Sequence, residues 1–277
     1  MHEIAAGFHS GGADERTARA LRDVRDGVSA YPIWALLGWQ DIKQRYRRSV
    51  IGPFWITIST AVMVVMLGVL YAGLFNQPLA HYLPFVGVSL VVWALVSTIL
   101  NEACTVFIVS ESMIKQVRAP LTVHVCRMVF RNLLIFGHNA VILLAIYLLF
   151  WKPPTWQLAL VPLAIAVYAL NGVWVGIVLG TLCARFRDIP PIMQNIVQVL
   201  FFLTPIMWQP QLLEARGMDW IARLNPLHHF LEILRAPLLG YPFPLASWLT
   251  VAACSLAGAM LALATLRRCR HRVAYWL

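Results

Sequence analysis

LPFVGVSLVVWALVSTILNEACTVFIV, residues Leu83–Val109, runs for 27 residues with a single charged side chain, Glu102. A helix needs about 20 predominantly apolar residues to cross the hydrocarbon of a bilayer, because every backbone N–H and C=O must be paired there. The stretch therefore predicts a transmembrane helix. Five further stretches satisfy the same rule: Pro53–Phe75, Pro120–Phe150, Leu158–Ala184, Ile189–Met207 and Leu245–Leu266. Pro120–Phe150 is too long for a straight crossing, so part of it is expected to project into the cytoplasm. Ile189–Met207 is the weakest, broken by Pro190, Pro191, Gln194, Asn195, Gln198 and Pro205. Composition agrees: 60% hydrophobic residues, 12% charged and a mean hydropathy of +0.71 describe an all-α integral membrane protein.

The charges orient it. Eight cations precede the first span: Arg16, Arg19, Arg22, Arg25, Lys43, Arg45, Arg47 and Arg48. Lys115 and Arg118 follow the second span, Arg185 and Arg187 the fourth, and Arg267, Arg268, Arg270 and Arg272 the last. The opposite segments hold only Lys152, Arg216, Arg223 and Arg235. By the positive-inside rule, both termini are expected in the cytoplasm and the chain in a bacterial inner membrane as a multi-pass protein. The net charge of +10 follows from this asymmetry and is not read as nucleic-acid binding. The first 30 residues lack an apolar core and a cleavage site, so no signal peptide is expected. Cys104, Cys126, Cys183, Cys254 and Cys269 show neither CxxC spacing nor an extracellular framework and read as structural thiols.

Residues 1–30 read as a cytoplasmic segment with a short solvated helix over Ala13–Asp26. Residues 31–52 read as an amphipathic helix at the membrane interface. Tyr31, Ala35, Trp39, Ile42 and Tyr46 form its narrow apolar stripe, and Gln40, Lys43 and Arg47 face the other way. A cytoplasmic extension of the first span is the alternative, interrupted by Gly52-Pro53. The six-span domain covers 53–266, and 267–277 is a cytoplasmic tail. Within the domain, 208–244 is neither polar enough for a free loop nor continuous enough for a span. Two re-entrant helices on the periplasmic side fit it, with a folded cap as the alternative.

Much chemistry is missing. The three lysines, Lys43, Lys115 and Lys152, follow Ile42, Ile114 and Trp151, so no G-x-x-x-x-G-K-[ST] phosphate loop exists. There is no H-E-x-x-H, no G-x-S-x-G and no clustered Asp pair, and neither catalytic, metal-ligating nor cofactor-binding residues can be assembled. Glu102 is the one acid well inside a span, which makes a proton relay a poor fit and pairing with a neighbouring base the simpler reading.

Gln40-Asp41-Ile42-Lys43-Gln44-Arg45-Tyr46-Arg47-Arg48-Ser49-Val50-Ile51-Gly52-Pro53-Phe54-Trp55 resembles the segment that opens the membrane domain of ABC-type polysaccharide exporter permeases. Ala184-Arg185-Phe186-Arg187-Asp188-Ile189, Phe202-Leu203-Thr204-Pro205-Ile206, and Asn225-Pro226-Leu227 followed by Glu232-Ile233-Leu234-Arg235 extend the resemblance over roughly Trp34 to Leu266. Such permeases export lipopolysaccharide O-antigen, capsule or teichoic acid. The resemblance implies a homodimer bound to two separate nucleotide-binding subunits, which hold the ATP and Mg that this chain does not. It implies a lipid-linked polysaccharide as cargo, with O-antigen the leading expectation. It also implies that the interface helix (Tyr31, Trp39, Lys43, Arg47) and the loop over Ser110–Arg118 (Glu111, Lys115) couple to the ATPase. A small-molecule exporter of the same broad fold and a membrane-embedded glycosyl- or acyltransferase are the alternatives.

Glycans present hydroxyls and flat C–H faces, which suit aromatic platforms and neutral amides. Gln194, Gln198, Phe201, Pro205 and Trp208 fall within about a third of a turn on the fifth span, and Tyr82, Phe85, Ser89, Trp93 and Ser97 share a face of the second. Both are candidate walls of the substrate pathway, although such residues also bond neighbouring helices. A third stripe holds His124, Arg127, Arg131 and His138. Arg127 and Arg131 either snorkel to the cytoplasmic headgroups or form a basic portal for the pyrophosphate of a lipid-linked glycan.

Overall fold

The structure, a computed structural model, describes residues 13–47, 52, 54–117, 119–150, 155–211 and 217–277. Every regular element among them is helical. In chain order these are α1 (Ala13–Ser29), α2 (Tyr31–Arg45), α3 (Phe54–Leu74), α4 (Leu79–Thr105), α5 (Glu111–Gln116) and α6 (Leu121–Phe150). A 3-10 turn (Trp156–Leu160) leads into α7 (Val161–Arg185), followed by α8 (Ile189–Leu203), the single turn α9 (Trp220–Arg223), α10 (Pro226–Leu239) and α11 (Leu245–Trp276). Pro53 at the start of the first expected span, Arg48–Ile51 of the opening segment, and Arg118, Lys152 and Arg216 lie outside the described residues.

Five units are long and apolar enough to cross a membrane: α3, α4, α6, Trp156–Arg185 and α11. The chain is a multi-pass membrane protein. The stretch expected as the fifth span behaves differently. Its helix, α8, has 15 residues, about 22 Å at the usual rise, against a hydrocarbon layer of about 30 Å. It stops at Thr204, whose backbone is extended, because the ring of Pro205 disfavours helical geometry in the residue before it.

Two further differences lie at the chain ends. The helix over Ala13–Ser29 is not solvated all round: Ala20 and Asp23 are buried. Asp23 takes the N–H groups of Leu121 and Thr122 at 3.2 and 3.1 Å and the Thr122 hydroxyl at 2.8 Å. It thus caps α6 from another helix and satisfies amides that have no partner within their own. The same carboxylate receives Arg270 Nε at 2.6 Å, so the first and last helices meet at one end of the bundle. Residues 267–276 continue α11 as helix, with Val273 buried.

α4 forms the axis of the fold, packed by α3, α6, α7, α8 and α10, and its run from Tyr82 to Trp93 is buried throughout. Lipid tails are as apolar as leucine, so helices gain from close approach through small residues. Gly172, Gly176 and Gly180 form such a stripe on α7, against Val129 and Val125 of α6 and Val106 and Phe107 beyond the end of α4. On α11, Gly258 lies under the indole of Trp174. α10 is inserted among α4, α7 and α11 at the end far from the termini. It starts at Asn225, whose side chain accepts from Leu227 N at 3.0 Å, and ends at Gly240 in the left-handed region at φ 70°.

Candidate functional site

The basic stripe of α6 finds its partners on other helices. Arg127 grips Asp41 of α2 with Nε at 2.8 Å and a second bond from Nη2. Arg131 bridges Asp41 at 2.8 Å and Glu102 of α4 at 2.7 Å. Asn132 donates to Glu102 at 2.6 Å, and Arg45 reaches it at 3.4 Å. Burial pushes the Asp41 carboxyl up, but hydrogen bonds and charge from Arg127 and Arg131 outweigh it and hold the group below its ordinary value. Three cations and two carboxylates thus tie α2 to α4 and α6. Gly38 against Phe130 and Trp34 edge-on to the same ring at 5.4 Å complete the contact. The five residues of the expected α2 stripe do not share one environment: Ile42 is buried, whereas Tyr31 and Trp39 are exposed.

The two candidate pathway faces have different surroundings. On α8 only Val197 is buried, and Gln194, Asn195 and Gln198 are exposed beside Ile192, Val199 and Phe202. The face on α4 is covered within the chain. Tyr82 donates its hydroxyl to Met207 O, Trp93 packs on Phe201 at 5.8 Å, and Ser89 receives Arg235 Nη1 at 3.1 Å. Phe85 lies under the Arg235 guanidinium at 4.6 Å. Trp208 turns back to donate to Phe202 O at 3.1 Å, past the end of α8. Phe201 and Trp93 are therefore brought together, and Gln194 and Gln198 stand apart from the α4 set.

Arg235 carries more than the sequence suggested. Counted there as a cation on the far side and as the last residue of a resemblance motif, it is 1% exposed, with bonds to Glu232 Oε1 and to Pro205 O at 2.7 Å. The signal was available as Glu232-x-x-Arg235, an opposite pair at i,i+3 in a helix with no other Asp, Glu, Lys or Arg. Asp41 and Asp23 carried no such local signal, because their partners lie 86 to 247 residues away.

A family model described as "ABC-2 type transporter" matches residues 33–239. The chain belongs to that family. It is similar to the O-antigen export system permease protein RfbA of Myxococcus xanthus, 23% identical over 210 residues that cover 75% of this chain and 80% of that protein. The RfbA permease of Klebsiella pneumoniae is 20% identical over 192 residues, 68% of this chain and 73% of its own length. An ABC-2 membrane chain is a transport subunit and not an enzyme. Among the described residues no cluster of His, Cys, Asp or Glu could hold a metal, and all five cysteines are free.

The residues expected to couple this ABC-2 chain to an ATPase lie at the end where the termini meet. On α2, Tyr31, Trp39 and Lys43 are exposed, with Lys43 over the Trp39 ring at 5.8 Å, and Arg47 is exposed just past the helix end. On α5, Glu111 and Lys115 pair at 2.7 Å, and Ile114 packs in the same cluster as Trp276 at the end of α11. Lys115 holds the Glu111 carboxyl below its ordinary value.

Proposed function

We propose that the chain is the membrane subunit of an ATP-driven exporter that moves a lipid-linked polysaccharide, O-antigen above all, across the bacterial inner membrane. Two copies form a homodimer, and two separate nucleotide-binding subunits supply ATP hydrolysis with Mg. The observation that carries this reading is the ABC-2 match over 33–239 together with relatives named as O-antigen export permeases. The chain itself holds no phosphate loop, and α2 and α5 offer exposed side chains at one end for the ATPase to grip.

Both termini face the cytoplasm in this proposal. The Asp23–Arg270 contact supports an even number of crossings, since it joins the first and last helices at one end of the bundle. Five long helices make an odd number, so α8 and the segment to Met207 serve as the sixth, and α9 with α10 re-enter from the periplasmic side. The conduit runs along the dimer axis beside α8, where Gln194, Gln198 and Phe201 offer amides and a ring, with Trp208 at the periplasmic end. Tyr82, Phe85, Ser89 and Trp93 back that wall from α4. Arg127 and Arg131 hold α2, so the closing ATPase moves a helix already fixed to α4 and α6.

Deletion of the chain in its host is expected to abolish surface polysaccharide and leave lipid-linked glycan inside the cell. Loss of glycan synthesis itself would favour a transferase instead. Unchanged surface glycan would overturn the exporter reading. Capsule or teichoic acid as cargo would show as loss of that polymer alone.

A further inference from the structure

At the far end of the bundle, α4, α10 and the segment after α8 border a half-open cavity of about 380 Å3, lined by Phe85, Gln209, Gln211, Glu232, Arg235 and Tyr241 among others. Pockets for small molecules span roughly 300–1,000 Å3. Arg235 is buried and its charge is matched by Glu232. The lining is therefore polar but uncharged overall. An anionic group placed here would meet the Glu232 carboxylate, and an apolar one would strand the carboxylate and the amides without partners.

Both bonds from Arg235 to Glu232 fall on one oxygen, Oε1. The side-chain amides of Gln209 and Gln211 have no hydrogen-bond partner among the described residues. Each brings two donors and an acceptor oxygen. Neighbouring hydroxyls on a sugar ring each donate and accept, which matches amides beside a carboxylate. The Tyr241 ring offers a flat face for the sugar's C–H groups and a hydroxyl at its tip.

We propose that this cavity is a saccharide subsite for a neutral pyranose unit. Gln209, Gln211 and Glu232 take its hydroxyls, Tyr241 stacks on its C–H face, and Arg235 is the positioning residue that holds Glu232 through one oxygen. The proposal rests on the polysaccharide reading above, because its ligand is a unit of the exported chain. The cavity then acts as a holding point at the periplasmic end of the path.

The test uses the full chain in lipid nanodiscs and short oligosaccharides released by mild acid from the host's surface polymer, followed by saturation-transfer NMR. Transfer to the ring protons of neutral sugars is expected. The Gln209→Ala/Gln211→Ala double variant should bind about tenfold more weakly, the equivalent of one or two hydrogen bonds. These partly open positions keep the test independent of folding, which an Arg235→Gln variant would endanger. Equal binding by parent and variant, no transfer, or transfer confined to acidic sugars would overturn the subsite. If deletion still traps lipid-linked glycan inside the cell, the exporter reading survives that loss. A deletion strain with normal surface glycan removes the exporter reading itself.

Discussion

Asp41 shows how a single carboxylate can decide where a helix sits. It takes three bonds from two arginines that are expensive to leave unpaired near hydrocarbon. Removing one partner of a buried ion pair costs about 3–5 kcal/mol, because the other charge remains. The site is partly open, with Arg127 24% exposed, so Asp41→Asn is expected to cost about 2–3 kcal/mol at neutral pH after discounting for solvent. Thermal unfolding in detergent, with amide exchange across α2, would measure it. An unfolded Asp titrates near about 3.9, and Asp41 in the fold lies below its ordinary value. The stabilisation is therefore complete above about pH 4 and lost as the pH falls through the lower folded value. Exchange protection of α2 should drop over that acid range in the parent chain and already be low in Asp41→Asn at neutral pH. The sequence displayed the arginine stripe and the need of Glu102 for a base, which Arg131 meets, but not Asp41: periodicity places Arg127 and Arg131 on one face, yet says nothing of a carboxylate on α2.

Helix existence was legible wherever hydropathy alone decides it, as in α3, α4, α6, α7 and α11. Helix ends were not. α11 runs on to Trp276 because Arg267, Arg268, Arg270 and Arg272 are good helix formers despite their charge. α1 looked solvated, since its arginines hide the small face formed by Ala20, Asp23 and Gly27, against which Thr122 packs. The close contact of α7 and α11 was equally silent in the sequence. A Cβ at Gly258 would collide with the Trp174 indole, which is itself fixed by donating to Asn171 Oδ1 at 2.7 Å. Gly258→Leu is therefore expected to push the two helices apart at a cost of about 1–3 kcal/mol. A lowered melting temperature in detergent would register it, and pairing with Trp174→Ala should restore part of the loss. Equal melting of Gly258→Leu and the parent would show that α7 and α11 adjust without strain.

On the scale of the whole molecule, the imbalance between α4 and α8 carries the argument for a second copy. α4 is wrapped on all sides, whereas α8 leaves three amides and a row of large apolar side chains uncovered. In lipid, an uncovered amide lacks the partners that water would give it, so Gln194, Asn195 and Gln198 need either a protein neighbour or a wet passage. The proposed homodimer provides a passage on its axis, and the cargo's hydroxyls provide transient partners. Replacing both glutamines by leucine separates this from a structural role. If the amides served only to bond a neighbouring helix, Gln194→Leu/Gln198→Leu would reduce the amount of dimer recovered from the membrane. If they line the path, dimer and protein level stay at the parent's values while surface polysaccharide falls by about tenfold or more, the equivalent of losing one or two hydrogen bonds to the moving chain. Surface labelling of the polymer and cross-linking of the two copies, measured in the same cells, distinguish the outcomes. Full export with normal dimer would place the conduit away from α8.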